Sequence, residues 1–162
     1  GMSLAHASLG IVVAGITASS AWQTESLQMM RAGEASDVAG YRFAFAGAVP
    51  IQGPNYSGWR GTFTVTKDGT PIARLTPEKR QFPAERSATT EAAIHAVWSG
   101  DLYAVLGERA EDGAWSVRLY HNPLVSWIWI GMVLMAFGGT ISLSDRRHRI
   151  GAPRRAMAAA PA

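Results

Sequence analysis

Cysteine is absent from all 162 residues of the sequence. This absence excludes a disulfide framework, a thiolate metal site and thiol redox chemistry within the chain. It also excludes the Cys-x-x-Cys-His motif that marks c-type cytochromes, so the chain is not itself a c-type cytochrome. The missing cysteine does not identify a compartment, which has to come from the distribution of charge.

Charged side chains are missing from two long stretches, residues 2–22 and 122–144. Each stretch is close to the roughly 20 helical residues that cross a hydrocarbon core about 30 Å thick. We therefore expect two transmembrane helices, at residues 1–22 and 122–144. Trp127 and Trp129, near the start of the second stretch, are expected to anchor it at the membrane interface.

Each apolar stretch has an alternative interpretation. The first could be a cleaved signal peptide, because residues 18–21 have the small side chains of a cleavage site. No basic segment precedes it, however, and it is longer than the usual apolar core of a signal peptide. The second could be a buried core helix, although its length and the arginines that follow it favour a span. Because the chain begins with Gly1 rather than Met, we expect a piece of a longer protein.

The net charge of +3 arises at the carboxy-terminal end of the chain, since residues 23–121 hold ten Lys and Arg against eleven Asp and Glu. Five arginines between residues 146 and 155 are opposed only by Asp145. Nucleic-acid binding needs basic residues clustered on the folded domain, so we expect no nucleic-acid partner. Basic residues just after a span are typical of a cytoplasmic flank. We therefore predict a basic cytoplasmic tail at residues 145–162 and, across two spans, a periplasmic segment at residues 23–121.

The central segment has the pattern of a small, mostly β domain. Apolar residues alternate with polar or small ones in three runs, at Tyr41, Phe43 and Phe45, at Phe63 and Val65, and at Trp115, Val117 and Leu119. A period of two in Thr-, Val- and aromatic-rich runs indicates half-buried strands. The predicted fold class is thus a membrane protein in which two transmembrane helices flank a β-rich domain of five to seven strands.

Several local signals predict the connections in this domain. Asp68-Gly69 favours a tight hairpin, since the two residues tolerate positive φ angles. Glu111-Asp-Gly113 predicts a second turn, and the composition of Gln52–Tyr56 predicts a loop. Residues 89–94 could begin a short helix, because Thr can cap a helix and Glu91 suits its first turn. We interpret the loop and Glu91 as structural features, with contact to a partner as the alternative.

Eight short motifs in a fixed order extend over nearly the whole chain. They are Gly53-Pro-Asn-Tyr56, Glu78-Lys-Arg80, Thr90-Glu-Ala-Ala-Ile94, Gly100-Asp-Leu-Tyr103, Gly113-Ala-Trp-Ser-Val-Arg-Leu-Tyr120, Asn122-Pro-Leu-Val125, Trp127-Ile-Trp129 and Ser144-Asp-Arg-Arg147. In order and spacing these motifs resemble the carboxy-terminal region of the CcmF family of cytochrome c maturation proteins. The related nitrite-reductase assembly proteins share this architecture and are near neighbours.

The resemblance implies a segment of a multi-pass inner-membrane subunit of the haem lyase that joins haem to apocytochrome c in the periplasm. It implies as partners the haem chaperone CcmE, the CcmH and CcmI subunits, apocytochrome c and the lipid bilayer. It also implies a structural haem b in the membrane, whose expected role is to reduce the substrate haem iron.

Two haem-handling features of the family have no counterpart in this sequence. They are the tryptophan-rich segment and the pair of periplasmic histidines. This chain alone should therefore not attach haem, its status as an enzyme stays open, and we assign it no catalytic residue. The alternative function is a membrane-tethered periplasmic binding or scaffolding module without a cofactor.

His6 is the candidate cofactor-binding and metal-binding residue. It matches the family's transmembrane haem-ligand histidine in the motif Met-x-Leu-Ala-His, so the resemblance implies an axial ligand to haem b iron. The second ligand would come from another region of the parent protein. An ionisable side chain within a span also often has a function, although it could be a packing histidine. We interpret His95 and His121 as surface or interface residues and His148 as a solvated residue of the tail.

Small residues follow His6 at intervals of four along the first helix. Gly10, Ala14 and Ala18 predict a stripe on one helix face, which would admit a neighbouring helix or a flat macrocycle. The second ring nitrogen of His6 would then need an acceptor, which we expect to be a helix carbonyl or a hydroxyl.

Overall fold

The computed structural model describes residues 1–83 and 87–144, which form a β-sandwich flanked by a pair of helices. Helix α1 spans Met2–Ala21 and helix α2 spans Val125–Ser144. Both are long and apolar enough, by length and composition, to cross a membrane. The predicted basic tail lies outside the described residues.

Ten strands lie between the helices in the described region of the chain. They are β1 (Thr24–Met30), β2 (Ala35–Val38), β3 (Tyr41–Gln52), β4 (Ser57–Lys67), β5 (Thr70–Leu75), β6 (Glu78–Phe82), β7 (Ser87–Glu91), β8 (Ala93–Val97), β9 (Gly100–Arg109) and β10 (Trp115–Pro123). A first sheet has the order β1-β10-β9-β8, and a second has the order β2-β3-β4-β6-β7, with β5 also paired to β4. All of these pairs are antiparallel.

The predicted fold class is confirmed, whereas the expected number of five to seven strands is too low. The missed strands include β2 and β7, which contain too few apolar residues to show a clear alternation. Such strands are held by backbone hydrogen bonds to a neighbour, and sequence periodicity does not reveal that kind of pairing.

The core lies between the two sheets and consists of the residues that alternate in the sequence. Phe43, Phe45 and Phe63 of the second sheet are almost fully buried and pack in one cluster with Val117 and Leu119 of the first. The rings of Phe45 and Phe63 stack with centroids 4.7 Å apart. The sequence-based assignment of these residues to the core is therefore confirmed.

Both predicted turns are also confirmed. Asp68 and Gly69 have φ angles of 50° and 77° and connect β4 to β5, where Lys67 pairs with Thr70. These positive angles match the twist of the flanking strands, as in the tight hairpins that favour Asp-Gly. Residues 111–113 lie in the turn between β9 and β10.

The prediction that a short helix begins near residues 89–94 is wrong. This segment lies in β7 and β8, which belong to different sheets, and the chain crosses from one sheet to the other at Ala92. A helix cap would satisfy only a few backbone amides locally, whereas each strand gains a ladder of hydrogen bonds with its neighbour. The β-branched threonines and Ile94 also favour extended backbone.

The two helices pack antiparallel and join the same end of the sandwich. Gly15 of α1 and Gly131 and Gly138 of α2 are buried where the helices touch. Glycine at such contacts lets helix backbones approach closely. One face of α1 therefore packs against α2, while the opposite face, called the open face below, is exposed.

Candidate functional site

His6 lies on the open face of α1, since its side chain is exposed while Ser8 and Val12 are buried on the other face. The ring Nδ1 lies 2.9 Å from the carbonyl oxygen of Met2, one helical turn earlier. In a neutral imidazole this contact favours the tautomer in which Nδ1–H donates to the carbonyl, which leaves the lone pair of Nε2 free for a metal. The helix-carbonyl acceptor expected for the second ring nitrogen is thus present.

The small-residue stripe after His6 is shorter than the sequence spacing suggested. Gly10 and Ala14 are exposed, and a Cβ placed on Gly10 would meet nothing within 4 Å. Ala18, by contrast, is buried. Each step of four residues turns by about 40° on a helix of 3.6 residues per turn, so a stripe at this spacing rotates around the helix. The open surface therefore runs from His6 to Ala14 only.

This surface has room for a flat group beside the imidazole. A free Nε2 at one end and two small side chains along the helix leave room for a planar ring beside the imidazole. Among residues 1–83 and 87–144, no group of three or more His, Asp or Glu side chains comes together as a metal site. The assignment of His6 to haem iron stays a prediction, and it requires a second ligand from outside this chain.

The other histidines occupy different surroundings. His95 lies on β8 and His121 on β10, both half-buried, while His148 lies outside the described residues. The ring of His121 lies 5.6 Å from the ring of Tyr41. His6 is 15 residues from the end of α1, which corresponds to about 22 Å of helix, so α1 itself separates it from the sandwich.

Three of the motifs that carry the family resemblance meet in one ionic network on the second sheet. Glu78 is only 8% exposed, and its carboxylate accepts hydrogen bonds from Arg60 Nε at 2.6 Å and Arg80 Nε at 2.8 Å. The guanidinium of Arg80 also lies 4.7 Å over the ring of Tyr56 and 3.7 Å from Glu91. The loop motif, the Glu-Lys-Arg motif and Glu91 are therefore one structural unit.

The network keeps Glu78 ionised. Burial raises the pKa of Glu78, but the hydrogen bonds from Arg80 and Arg60 outweigh this effect, so its pKa lies below the usual value. Sequence reasoning missed this network. The available signal was the spacing of two between Glu78 and Arg80, which places both side chains on one face of a strand.

A cleft of about 760 Å³ opens between the sheets, at the end of β9 and β10 opposite to α2. The rings of Trp59 and Trp115 meet there at 5.3 Å, and the guanidinium of Arg109 lies 5.5 Å over Trp59. Lys79, which also lines the cleft, pairs with Glu108. The sequence did not predict this cleft, because its walls come from distant strands of both sheets.

The comparisons with known proteins agree with each other. A family model described as the CcmF C-terminal beta-sandwich matches residues 21–123. The cytochrome c-type biogenesis protein CycK of Bradyrhizobium diazoefficiens is 46% identical over 158 residues, which are 98% of this chain and 24% of the relative. CcmF of Escherichia coli strain K12 is 44% identical over 149 residues, covering 92% of this chain and 23% of the relative.

A more distant relative and a solved structure complete the comparison. The cytochrome c-type biogenesis protein NrfE of Haemophilus influenzae is 32% identical over 149 residues, covering 92% of this chain and 24% of the relative. The solved structure of Cytochrome c Heme Lyase CcmF shares the fold, with a TM-score of 0.72 at 21% identity over 87% of this chain and 24% of that chain. The chain spans about a quarter of the length of these relatives.

Proposed function

Because this chain belongs to the CcmF family of cytochrome c-type biogenesis proteins, we propose that it is the carboxy-terminal region of a haem lyase subunit. In this proposal His6 supplies one axial ligand to a haem b in the membrane. The observation that carries it is the orientation of the His6 imidazole, which is exposed on the open face of α1 with Nδ1 held by the Met2 carbonyl.

The residues around His6 would prepare it for this role. The carbonyl of Met2 would fix the tautomer and ring orientation, as acceptors do for other metal-bound histidines. Gly10 and Ala14 keep the neighbouring helix surface flat. A haem held here would supply one-electron transfer in the membrane, with a potential set by the axial ligands and by burial. The second ligand would belong to the remainder of the parent protein.

We also propose a topology in the bacterial inner membrane. Residues 1–22 and 122–144 would span it, residues 23–121 would form the periplasmic domain, and residues 145–162 the cytoplasmic tail. The antiparallel packing of α1 on α2 supports a retained first helix, because both helices join the same end of the sandwich. Arginines after the second span support a cytoplasmic carboxy terminus. The proposed partners are CcmE, CcmH, CcmI and apocytochrome c.

The ligand assignment is tested by visible absorption of the purified full-length parent protein. His6→Ala should remove most of the b-type haem bands and impair cytochrome c maturation while the protein remains inserted. His6→Met should retain some of the haem with a raised reduction potential, since thioether ligation raises the potential. His95→Ala, on β8, is the matched control and should keep the haem.

Two outcomes would count against the proposal. If His6→Ala accumulates normally with unchanged haem content and reduction potential, His6 is a packing residue of α1. If the wild-type parent shows no b-type haem bands at all, the scaffolding function without a cofactor is favoured.

A further inference from the structure

An exposed tryptophan lies at the tip of the β8–β9 hairpin. Trp98 is 78% exposed and forms, with Ser99, the two-residue turn between the paired residues Val97 and Gly100. Turn tips usually contain Gly, Asn, Asp, Ser or Pro, which help the chain to reverse. A tryptophan contributes nothing of that kind to the turn. Single exposed apolar side chains are common on protein surfaces, so what distinguishes Trp98 is its position relative to the helices.

The hairpin tip is fixed beside the start of α2. The carbonyl oxygen of Ser99 accepts a hydrogen bond from Leu124 N at 3.1 Å. A Cβ placed on Gly100 would come within 2.2 Å of the carbonyl oxygen of Asn122, so the two backbones touch. Since α2 begins at Val125, Trp98 lies at the level where this helix leaves the sandwich.

Two more exposed tryptophans lie near the helix ends that join the sandwich. Trp22 directly follows α1 and is 69% exposed, and Trp127 lies in the first turn of α2. The helices are antiparallel, with Gly15 of α1 beside the carbonyl of Leu124, so Trp22, seven residues after Gly15, lies about 10 Å nearer the sandwich than the first turn of α2. An indole ring prefers the headgroup region of a bilayer, where its apolar body is covered and its N–H stays hydrated.

We propose that the β8–β9 tip is a third membrane contact of this protein, in which the Trp98 indole inserts among the lipid headgroups beside the start of α2. The occupant is the lipid surface because two apolar 20-residue helices begin and end at this level. Three contacts define a plane, so they would fix the tilt of the sandwich as well as its position. The cleft at Trp59 and Trp115 would then be held away from the bilayer. The inference depends on the helices crossing the membrane and not on the role of His6.

The absence of cysteine makes the test direct, because single cysteines can be introduced and labelled with a nitroxide. The full 162-residue chain is placed in lipid nanodiscs and labelled at Trp98→Cys, or at Glu111→Cys in the turn at the opposite end of the sandwich. Met132→Cys, on the exposed face of α2, reports that the helices have inserted. Accessibility to dissolved oxygen is compared with accessibility to a water-soluble nickel complex.

The label at position 98 should be several-fold less accessible to the nickel complex than the label at position 111. The spectrum of the label at position 98 should also be broadened by lipids that carry a second nitroxide near the headgroup. Equal nickel accessibility at the two positions would overturn the proposal. A position 98 shielded from both water and lipid would overturn it too, because the tip would then contact protein. A label at Ala96→Cys, with Trp98 retained, checks that labelling itself does not displace the tip. Adding Trp98→Ser to this labelled variant should raise the accessibility of the label at position 96 to the nickel complex.

Discussion

Gly131 of α2 lies so close to Val12 of α1 that a Cβ at this position would come within 2.6 Å of Val12 Cγ2. A second contact repeats the arrangement nearer the end of α2, where a Cβ on Gly138 would lie 2.8 Å from the backbone nitrogen of Ala5. Both contacts involve atoms that cannot move away easily, so the helix pair depends on glycine at these positions. The same packing turns His6 to the open side of α1.

Alanine at Gly138 should therefore weaken the helix pair, while alanine at the adjacent Gly139 should not. A Cβ on Gly139 would meet nothing within 4 Å, which makes it a matched control. We expect Gly138→Ala to cost about 1–3 kcal/mol, as overpacking does elsewhere. The measurement is reversible unfolding of the chain by SDS in mixed micelles, and equal midpoints for the two variants would contradict the close contact.

The sandwich core should depend strongly on Phe63, which is fully buried and stacks on Phe45. Phe63→Ala should lower the free energy of unfolding of the sandwich by about 3–5 kcal/mol, because it removes a large side chain and leaves a cavity. Ile94→Ala on the exposed outer face is the control and should change it by less than about 0.5 kcal/mol. Denaturant unfolding followed by circular dichroism distinguishes the two, and a small effect at Phe63 would refute the core assignment.

Sequence patterns predict those strands in which apolar and polar side chains alternate regularly. The runs at Phe43, Phe63 and Val117 are confirmed as core strands because burial on one face imposes a period of two on the sequence. The strands β7 and β8 escaped prediction because the capping signal at Thr89–Glu91 suggested a helix, whereas pairing with their neighbours in two different sheets makes both segments extended.

The same distinction applies to the sites. His6 could be named from a local motif, and its bond to Met2 is a helix contact between residues four apart. The Glu78 network and the level of Trp98 depend on strand register across the sheets, which no local pattern in one sequence provides. Residues far apart in the chain meet there only after folding.

Removal of the negative charge at Glu78 should destabilise the sandwich, because two arginines point at this nearly buried carboxylate. Glu78→Gln should cost about 1–3 kcal/mol, the range for a charged hydrogen-bond partner lost from a buried site. Glu108→Gln is the control, because the side chain of Glu108 is 83% exposed although its partner Lys79 is only 17% exposed, and an ion pair whose carboxylate is in water contributes about 0–1 kcal/mol. If thermal unfolding shows the same loss for both variants, the Glu78 network has no special role in stability.

The proposed topology predicts opposite reporter signals at two positions in the full-length parent. A phosphatase inserted at Gly69, in the β4–β5 turn, should be active, because this enzyme folds only in the periplasm. A fluorescent protein at Ala152, outside the described residues, should fluoresce in the cytoplasm. A second phosphatase fusion at Asp112, in the β9–β10 turn, should agree with Gly69 because both turns belong to one sandwich. A cytoplasmic signal at Gly69 would overturn the orientation.

His121 should make the sandwich less stable in mild acid. Burial lowers its pKa, the positive charge of Lys67 lowers it further, and Asp101 opposes both effects. Among the described residues, its buried Nε2 has no hydrogen-bond partner, so an added proton there would be unsatisfied. Its ring also packs against Tyr41, and the ammonium group of Lys67 lies 4.8 Å from the centre of the same Tyr41 ring.

The sign follows from proton binding in the two states. An unfolded histidine has a pKa of about 6.5, so near this pH the unfolded chain binds more protons at position 121 than the folded chain. Stability is therefore fully present above about pH 6.5 and is lost as the pH falls through the lowered folded-state pKa. The melting temperature of wild type should drop more between about pH 8 and pH 5.5 than that of His121→Gln, and Lys67→Gln should give a smaller drop than wild type. Identical pH dependence in wild type and His121→Gln would show that His121 takes up its proton as easily in the folded protein as in the unfolded chain.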